Sequence, residues 1–298
     1  MRQHFEHNAM ATQFALVIAK ETEDYAQNAA KQVFSLIDAL EHQLSRFIPD
    51  SDVSRINRMK AEDQLPIDFE TWEVLKMALG TTALTSGAFD IGVAKHIDIF
   101  RATKTGILNE FEMNNALTKV QEEKVASRIY VDPEKPMVYC LTPGAQFDLG
   151  GIGKGYALDK ANDLLEELGI QNFSISASDS TVLLKNNEED IEHWSYTIAN
   201  ASEKMDLQLS NIAVSASGTS FQGNHIFDPR TGFNELASGH KRIWVASEKA
   251  AYSDAFATAL FIVSTDEIHE IIKKSDNIIW VAYSEDGHLK LVTKNNLS

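Results

Sequence analysis

The chain has 298 residues, 44% of them apolar, which is enough for a substantial hydrophobic core. Asp and Glu number 43 against 27 Lys and Arg, so the net charge of −16 argues against nucleic acid or an anionic membrane surface as the main partner. The single cysteine, Cys140, excludes an internal disulfide, and no run of about 18 apolar residues predicts a transmembrane helix.

The first half of the chain predicts several helices and a hairpin. A strand is predicted over residues 14–19, and apolar residues at helical spacing predict helices over 24–47 and 69–85. A third, polar helix is predicted over 109–126. The buried side of the helix over 69–85 is predicted to consist of Trp72, Leu75, Leu79 and Ala83. Short β signals at 128–132 and 137–141 flank a proline-containing turn, which indicates a hairpin.

A glycine-rich segment, FDLGGIGKGYALDKA, covers residues 147–161. Glycine lets a backbone approach a ligand closely, and the amides at the start of the following helix attract anions. Lys154 adds a positive charge there, and Asp148 can accept a hydrogen bond from a ligand. The spacing matches neither the Walker loop nor the GxGxxG fingerprint. The segment therefore predicts either a phosphate site or a plain turn that closes a strand–helix unit.

The second half of the chain predicts runs of strands around one further helix, at residues 253–263. Strands are predicted at 172–177, 181–185, 194–199, 206–209, 212–215, 242–246, 278–283 and 288–292. Runs of strands between helices, without strict alternation, indicate an α+β fold with mixed or antiparallel sheets and packed helices.

Three polar residues in the C-terminal part of the chain have alternative interpretations. Asp254 and Thr258 are four residues apart, so their oxygens share one helix face and make half of a site for Mg²⁺. Alternatively, Asp254 caps the helix and Thr258 bonds to the preceding turn. His225 can accept a proton near neutral pH, but a lone histidine is more often a bystander.

Several motifs occur together in the order of one known family. They are MATQF, LSRFIPDSDVSRIN, GAFDIG, the glycine-rich segment, SASGTSFQGNHIFDPRTG and DAFATA. With these motifs the chain resembles the ApbE family, the FAD:protein FMN transferases. The resemblance implies a T-fold-like core in a single domain over residues 1–298, built as one body or as two interlocked subdomains with the FAD site between them.

The resemblance also implies roles for individual residues. Mg²⁺ is expected at Asp254, Thr258 and the backbone carbonyl of Gly151. His225 is expected to act as general base and Lys154 to stabilise developing charge. Contacts with FAD are expected from Met10, Phe47, Ala88, Phe89, Asp90, Asp148, Lys154 and Ile226. For Met10 and Phe47 the alternative is a place in the hydrophobic core.

The activity implied is Mg²⁺-dependent transfer of FMN from FAD to a Thr or Ser hydroxyl of an acceptor flavoprotein, with release of AMP. An FAD pyrophosphatase and a non-catalytic FAD carrier or sensor are the alternatives. The family's Gly-Gly-Asp turn is replaced by Ser178, Asp179 and Ser180, and the segment of residues 219–224 is short. Because of both departures, we expect this chain to dock its acceptor or fit its cofactor differently from typical members of the family.

The N-terminal sequence MRQHFEHNAMATQF has no apolar signal core and no cysteine for a lipid anchor. For the sequence as it stands we expect a cytoplasmic protein. A periplasmic or membrane-anchored protein is expected instead if a leader was trimmed.

Overall fold

The computed structural model describes residues 2–187, 194–218, 227–234, 242–285 and 287–296. The chain divides into two compact units. The first, the sheet unit, contains Met1–Glu41, Ile152–Gly218 and Ser238–Ser298. The second, the helical unit, contains His42–Gly151 and Thr219–Ala237. Each unit is therefore assembled from segments that are separated in the sequence.

The elements follow one another as expected for an α+β fold. The strands are β1 Arg2–Ala9, β2 Thr12–Ala19, β3 Gln64–Pro66, β4 Arg128–Val131, β5 Met137–Thr142, β6 Phe173–Ala177, β7 Thr181–Lys185, β8 Trp194–Ala199, β9 Lys204–Leu209, β10 Ile212–Gly218, β11 Arg242–Ser247, β12 Trp280–Glu285 and β13 His288–Val292. The helices are α1 Glu23–Leu44, α2 Asp52–Asn57, α3 Phe69–Leu84, α4 Ala94–Lys104, α5 Glu110–Ala126, α6 Gly153–Glu167, α7 Ala250–Leu260 and α8 Thr265–Lys274.

The sheet unit is built on an eight-stranded sheet with the order β1-β2-β6-β7-β10-β11-β12-β13. All of its neighbouring pairs are antiparallel. Alternate residues of β2, namely Phe14, Leu16 and Ile18, are fully buried, as expected when one face of a sheet covers a core. The hairpin β8-β9 adds Ile198 to an apolar cluster with Trp244 of β11 and Trp280 of β12.

Helix α7 is buried along most of its length and packs closely against α6. Its sequence, AAYSDAFATAL, offers mainly small side chains, which allow a neighbouring backbone to approach. At Gly155 of α6, an added Cβ would lie 2.1 Å from the carbonyl oxygen of Ala250. Only glycine fits this contact, so the glycine-rich segment serves helix packing as well as any ligand.

The helical unit combines α3, α4 and α5 with the three-stranded sheet β3-β5-β4. Helix α5 begins at a capping box in which the side chains of Asn109 and Glu112 bond to each other's backbone amides. A small core cluster joins α4 and α5 to a later segment of the chain through Phe100, Leu117 and Phe227. The structure thereby places residues 227–234 against α4 and α5.

The α+β fold, the 128–141 hairpin and most elements are confirmed, with differences at particular places. The predicted buried side of α3 is confirmed at Leu75 but wrong at Leu79, which is 41% exposed, and at Ala83, which is also exposed. The buried residues of α3 are Thr71, Val74, Leu75, Ala78 and Thr81. Thr81 can be buried because its hydroxyl donates to the Met77 carbonyl at 3.0 Å.

Strands β1 and β3 and helices α2, α4 and α8 were not predicted. Strand β1 is an edge strand with little burial, so its polar sequence lacks the apolar alternation that marks a strand. Helix α7 begins three residues earlier than predicted, and α1 ends at Leu44, which leaves Phe47 outside it. None of the helices in the described ranges combines the length and apolar character needed to cross a bilayer.

Candidate functional site

In the sheet unit, Asp254 joins α7 to the first turn of α6. Its Oδ2 atom accepts a hydrogen bond from the backbone amide of Gly155 at 3.2 Å and lies 3.4 Å from Nζ of Lys154. Asp254 is only 6% exposed and sits in the middle of α7. It therefore does not cap its own helix, as one interpretation of the sequence had it. Instead it supplies an acceptor and a negative charge to the positive N-terminal end of α6.

Thr258 lies one turn further along α7, and its hydroxyl donates to the carbonyl oxygen of Asp254 at 3.1 Å. This is the helix back-bond that the sequence offered as an alternative to metal binding. The back-bond and metal binding are compatible for Thr258, because a hydroxyl oxygen that donates its proton keeps its lone pairs for a cation.

The described residues contain no cluster of three or more His, Cys, Asp or Glu side chains suited to a metal. Mg²⁺ commonly takes only one or two protein carboxylates and fills its octahedron with water and substrate phosphate. One carboxylate and one hydroxyl, at Asp254 and Thr258, fit that pattern. The site would not fit a metal that requires several protein side chains.

Asp159 of α6 holds the start of α7. Its two carboxylate oxygens accept hydrogen bonds from the backbone amides of Ala250 at 2.7 Å and Ala251 at 3.0 Å. Burial raises the pKa of Asp159 to about 7, although both amide bonds act in the opposite direction. Asp159 fixes the position of the helix that carries Asp254 and Thr258.

Two tight turns of the sheet unit carry residues that the sequence singled out. Met10 and Ala11 form the two-residue turn between β1 and β2, with φ of 50° and 55°. Both φ values are positive, as in a type I′ turn, although neither residue is a glycine. Ser178, at the position of the family's first glycine, has φ of 52° and donates its amide to the Gln13 carbonyl at 2.7 Å. The backbone of Ser178 is therefore held in a left-handed conformation that glycine adopts more readily.

In the helical unit, Arg46 links two carboxylates. Its guanidinium binds Asp98 through Nη1 at 3.0 Å and Nη2 at 2.7 Å, and its Nε binds Asp148 at 2.5 Å. Desolvation opposes the charge of Arg46, yet the bonds to Asp98 and Asp148 raise its pKa. The second Asp148 oxygen accepts from the Gly150 amide at 2.8 Å. Asp148 is thus held in one orientation at the start of the glycine-rich segment.

Phe47 is 63% exposed, which excludes the core position considered for it. The guanidinium groups of Arg46 and Arg101 lie 4.3 and 5.6 Å from the centre of its ring. An exposed aromatic ring beside two cations is a surface on which a flat heterocycle can stack.

The GAFD motif presents one polar side chain. Ala88 and Phe89 are buried, with 0% and 3% exposure, so only their backbone atoms can meet a ligand. The Asp90 carboxylate accepts from the Gly92 amide at 2.7 Å and pairs with Nζ of Lys124 at 2.8 Å.

A turn at residues 228–232 packs against α5. The Asp228 carboxylate binds the backbone amide of Arg230 at 2.8 Å and its guanidinium at 2.7 to 3.0 Å. These bonds steady the turn. His225 and Ile226, the predicted general base and an FAD contact, lie outside the described residues.

The structure therefore brings Lys154, Asp254 and Thr258 together in the sheet unit, and Arg46 joins Phe47 and Asp148 in the helical unit. The site residues predicted from the sequence do not include Arg46, Lys124 or Asp159. Arg46 and Asp159 lie inside motifs already recognised, in LSRF and KGYALD, so their motif positions were the available signal. Lys124 lies in a polar helix, where nothing distinguishes it from its charged neighbours.

Comparisons with known proteins agree with the motifs. The profile of the ApbE family matches residues 10–281. The FAD:protein FMN transferase of Chlamydia muridarum is 24% identical over 292 residues, which cover 93% of this chain and 90% of that protein. The one from Buchnera aphidicola is 24% identical over 279 residues, covering 87% of this chain and 77% of that protein. The flavinyl transferase ApbE of Pseudomonas stutzeri, solved in its apo form, has the same fold, with a TM-score of 0.82, 19% identity and coverage of 99% and 96%.

Proposed function

The chain belongs to the ApbE family, and we propose that it is an Mg²⁺-dependent transferase that moves FMN from FAD onto a Thr or Ser hydroxyl of an acceptor flavoprotein. Relatives that match most of its length are FAD:protein FMN transferases. This supports FAD as the substrate and a protein as the acceptor. Dependence on Mg²⁺, the acceptor hydroxyl and the release of AMP are the finer parts of the proposal.

The contact of Lys154 and Gly155 with Asp254 carries the proposal. A cation and a helix N-terminal amide both lie within 3.4 Å of one carboxylate oxygen, in a chain whose family match covers its candidate site. A pyrophosphate needs positive charge, and a divalent cation needs a carboxylate. Thr258 and the Gly151 carbonyl complete the oxygen ligands that we assign to Mg²⁺.

The chemistry is a phosphoryl-type substitution. The acceptor oxygen attacks the phosphorus of the FMN half of FAD, a new P–O bond forms, and the bond to the AMP oxygen breaks. His225 accepts the proton that leaves the hydroxyl. Lys154 stabilises the negative charge that develops as AMP departs. Bound Mg²⁺ would supply charge neutralisation to the pyrophosphate.

Other residues are assigned to holding FAD. Phe47 offers an aromatic face for a flavin or adenine ring, and Met10 a polarizable side chain. Asp90 and Asp148 can accept hydrogen bonds from FAD hydroxyls. Ile226 and the backbone of Ala88 and Phe89 complete the contacts that we propose.

Two further functions use the same site. With water as the nucleophile the protein is an FAD pyrophosphatase that yields FMN and AMP. A non-catalytic FAD carrier or sensor is favoured by one observation, the turn at Ser178 to Ser180 that replaces the family's Gly-Gly-Asp.

The deciding experiment incubates the purified protein with FAD, with and without Mg²⁺, and measures AMP. Release of AMP only with Mg²⁺ supports an enzyme, whereas bound FAD without AMP supports the carrier. A candidate acceptor flavoprotein is then added and covalent flavin fluorescence is followed on a denaturing gel. AMP release without labelling of any acceptor supports the pyrophosphatase.

A further inference from the structure

Lys124 of α5 contacts two parts of the helical unit that belong to different motifs. Its Nζ atom lies 2.8 Å from Oδ2 of Asp90, in the GAFD motif, and donates to the carbonyl oxygen of Pro229 at 2.7 Å. Its side chain is only 13% exposed. A buried ammonium group is stable only when acceptors surround it, so both contacts fix its position.

Gln121 lies one turn earlier on the same face of α5 and contacts the same turn. Its Nε2 atom donates to the carbonyl oxygens of Arg230 at 3.0 Å and Pro229 at 3.3 Å. Its Oε1 atom faces Nε2 of His96 at 3.0 Å. Since Nε2 must donate in this bond, the neutral His96 ring carries its proton there.

The surroundings of His96 keep it neutral. Burial lowers its pKa to about 4, and the charge of Lys124 acts in the same direction. Its Nδ1 atom is buried with no hydrogen-bond partner among the described residues. The ring stacks on Phe227, with centroids 5.4 Å apart. His96 therefore packs against Phe227 and donates one hydrogen bond, to Gln121.

The turn that follows His225 and Ile226 in the sequence is thus held by α4 and α5. Phe227 is buried against His96, Pro229 and Arg230 accept from Lys124 and Gln121, and Gly232 has φ of 81°. A Cβ on Gly232 would lie 3.2 Å from both Gln121 Oε1 and His96 Nε2. The turn fits closely against these side chains and has little freedom to shift.

We propose that Lys124 and Gln121 are positioning residues for the flavin transfer reaction. Gln121 fixes the turn next to His225, and Lys124 fixes both that turn and the Asp90 carboxylate. This inference rests on the proposed function, because it acts through His225 as proton acceptor and Asp90 as an FAD contact.

The different contacts of the two residues predict different kinetics. Gln121→Leu removes donors to the turn but leaves Asp90 paired, so we expect the rate of AMP formation at saturating FAD and Mg²⁺ to fall by about 10-fold to 10²-fold, with the Kd for FAD unchanged. Lys124→Met also leaves Asp90 without its cation. We expect the same loss of rate together with a rise of about 5-fold to 10-fold in the Kd for FAD.

A double-mutant cycle tests the route through His225. In the His225→Gln background, Gln121→Leu should change the rate by less than about 2-fold, because the group that it positions is already absent. Lys119→Met, an exposed lysine on the same helix, is the matched control and should keep the parental rate and Kd. If Lys124→Met fails to fold, Lys124→Gln keeps one donor for the Pro229 carbonyl and takes its place.

The inference would be overturned if folded Gln121 and Lys124 variants kept the parental rate of AMP formation. It would also be overturned if Gln121→Leu lowered this rate by the same factor in the His225→Gln background as in the parental protein. A parental protein that binds FAD but forms no AMP would refute the proposed function. In that case the Kd for FAD of Lys124→Met still decides whether Lys124 sets the FAD contact at Asp90.

Discussion

The carboxylate of Asp254, in the middle of α7, accepts a hydrogen bond from the backbone amide of Gly155 in the first turn of α6. The two residues are 99 positions apart in the sequence. The bond is possible because Gly155 has no side chain to separate the helices. Helix packing and the candidate cation site therefore depend on the same contact.

Gly155→Ala should destabilise the protein by about 3 kcal/mol, because its Cβ would fall 2.1 Å from the Ala250 carbonyl oxygen and backbone would have to move. Urea unfolding measures the effect. Gly80→Ala is the control, since Gly80 is exposed within helix α3 and an added Cβ would meet nothing within 4 Å. This substitution should stabilise the protein by about 0.5–1 kcal/mol. Equal effects of the two substitutions would contradict the close helix contact.

Asp254→Asn should abolish Mg²⁺-dependent AMP formation, with a loss of at least about 10²-fold, because the amide removes the charge that a hard cation requires. The Asn oxygen still accepts from Gly155, so the unfolding midpoint should change little. Asp163→Asn, on the exposed side of α6, controls for the loss of one negative charge. A folded Asp254→Asn protein with parental activity would remove Asp254 from the cation site.

Asp159→Asn should flatten the dependence of stability on pH. The pKa of Asp159 is about 7 in the folded protein against 3.8 ordinarily, so the folded state binds the proton more tightly. The stabilisation that this raised pKa contributes is fully present below about pH 4 and is lost as pH rises towards 7. The difference in unfolding free energy between the parental protein and the variant should therefore fall over this range. A rise would show that the Ala250 and Ala251 amides keep Asp159 ionised.

Arg46→Lys should raise the Kd for FAD by about 10-fold. A lysine ammonium cannot reproduce the fork that binds Asp98 and Asp148 at once, so Asp148 would lose its fixed orientation. Fluorescence titration with FAD provides the measurement. Arg58→Lys serves as control, because the one bond described for the Arg58 side chain is to the Pro49 carbonyl. An unchanged Kd in Arg46→Lys would refute a role for this ion-pair network in FAD binding.

His225→Gln should slow AMP formation by about 10²-fold to 10⁴-fold, the usual contribution of a general base, with the Kd for FAD nearly unchanged. Transfer and hydrolysis should fall together, because a hydroxyl and a water molecule must both lose a proton. His42→Gln, on the exposed face of α1, is the matched control. Parental rates from pH 6 to 8 in His225→Gln would require a different proton acceptor.

Element types were more predictable from the sequence than their burial and contacts. The polar helix α5 and regular strands such as β7 were placed within a residue, because the sequence features that mark them are local. The buried face of α3 was misjudged at Leu79, since tertiary packing rather than hydrophobicity decided it. Strand β10 extends to Gly218 because pairing with β11 continues where the apolar residues end.

Motifs identified the candidate site residues, but not the residues that hold them. Asp254 and Lys154 were singled out from motifs, whereas their contact with each other depends on the packing of α6 on α7. Asp159 and Lys124 were missed for a related reason. Each holds a segment about a hundred positions away in sequence, and no local pattern records such a partner.

The interleaving of the two units has a consequence for synthesis on the ribosome. Strand β2 ends at Ala19, but its partner β6 begins only at Phe173, after the first segment of the helical unit has been made. Roughly 150 residues at about 5–20 residues per second leave the β1-β2 hairpin without its neighbour for about 8 to 30 s. During that interval the edge of β2 is open to wrong pairing. Translation speed and chaperones that shield strand edges should therefore affect the yield of this protein more than that of a chain whose sheet forms from consecutive strands.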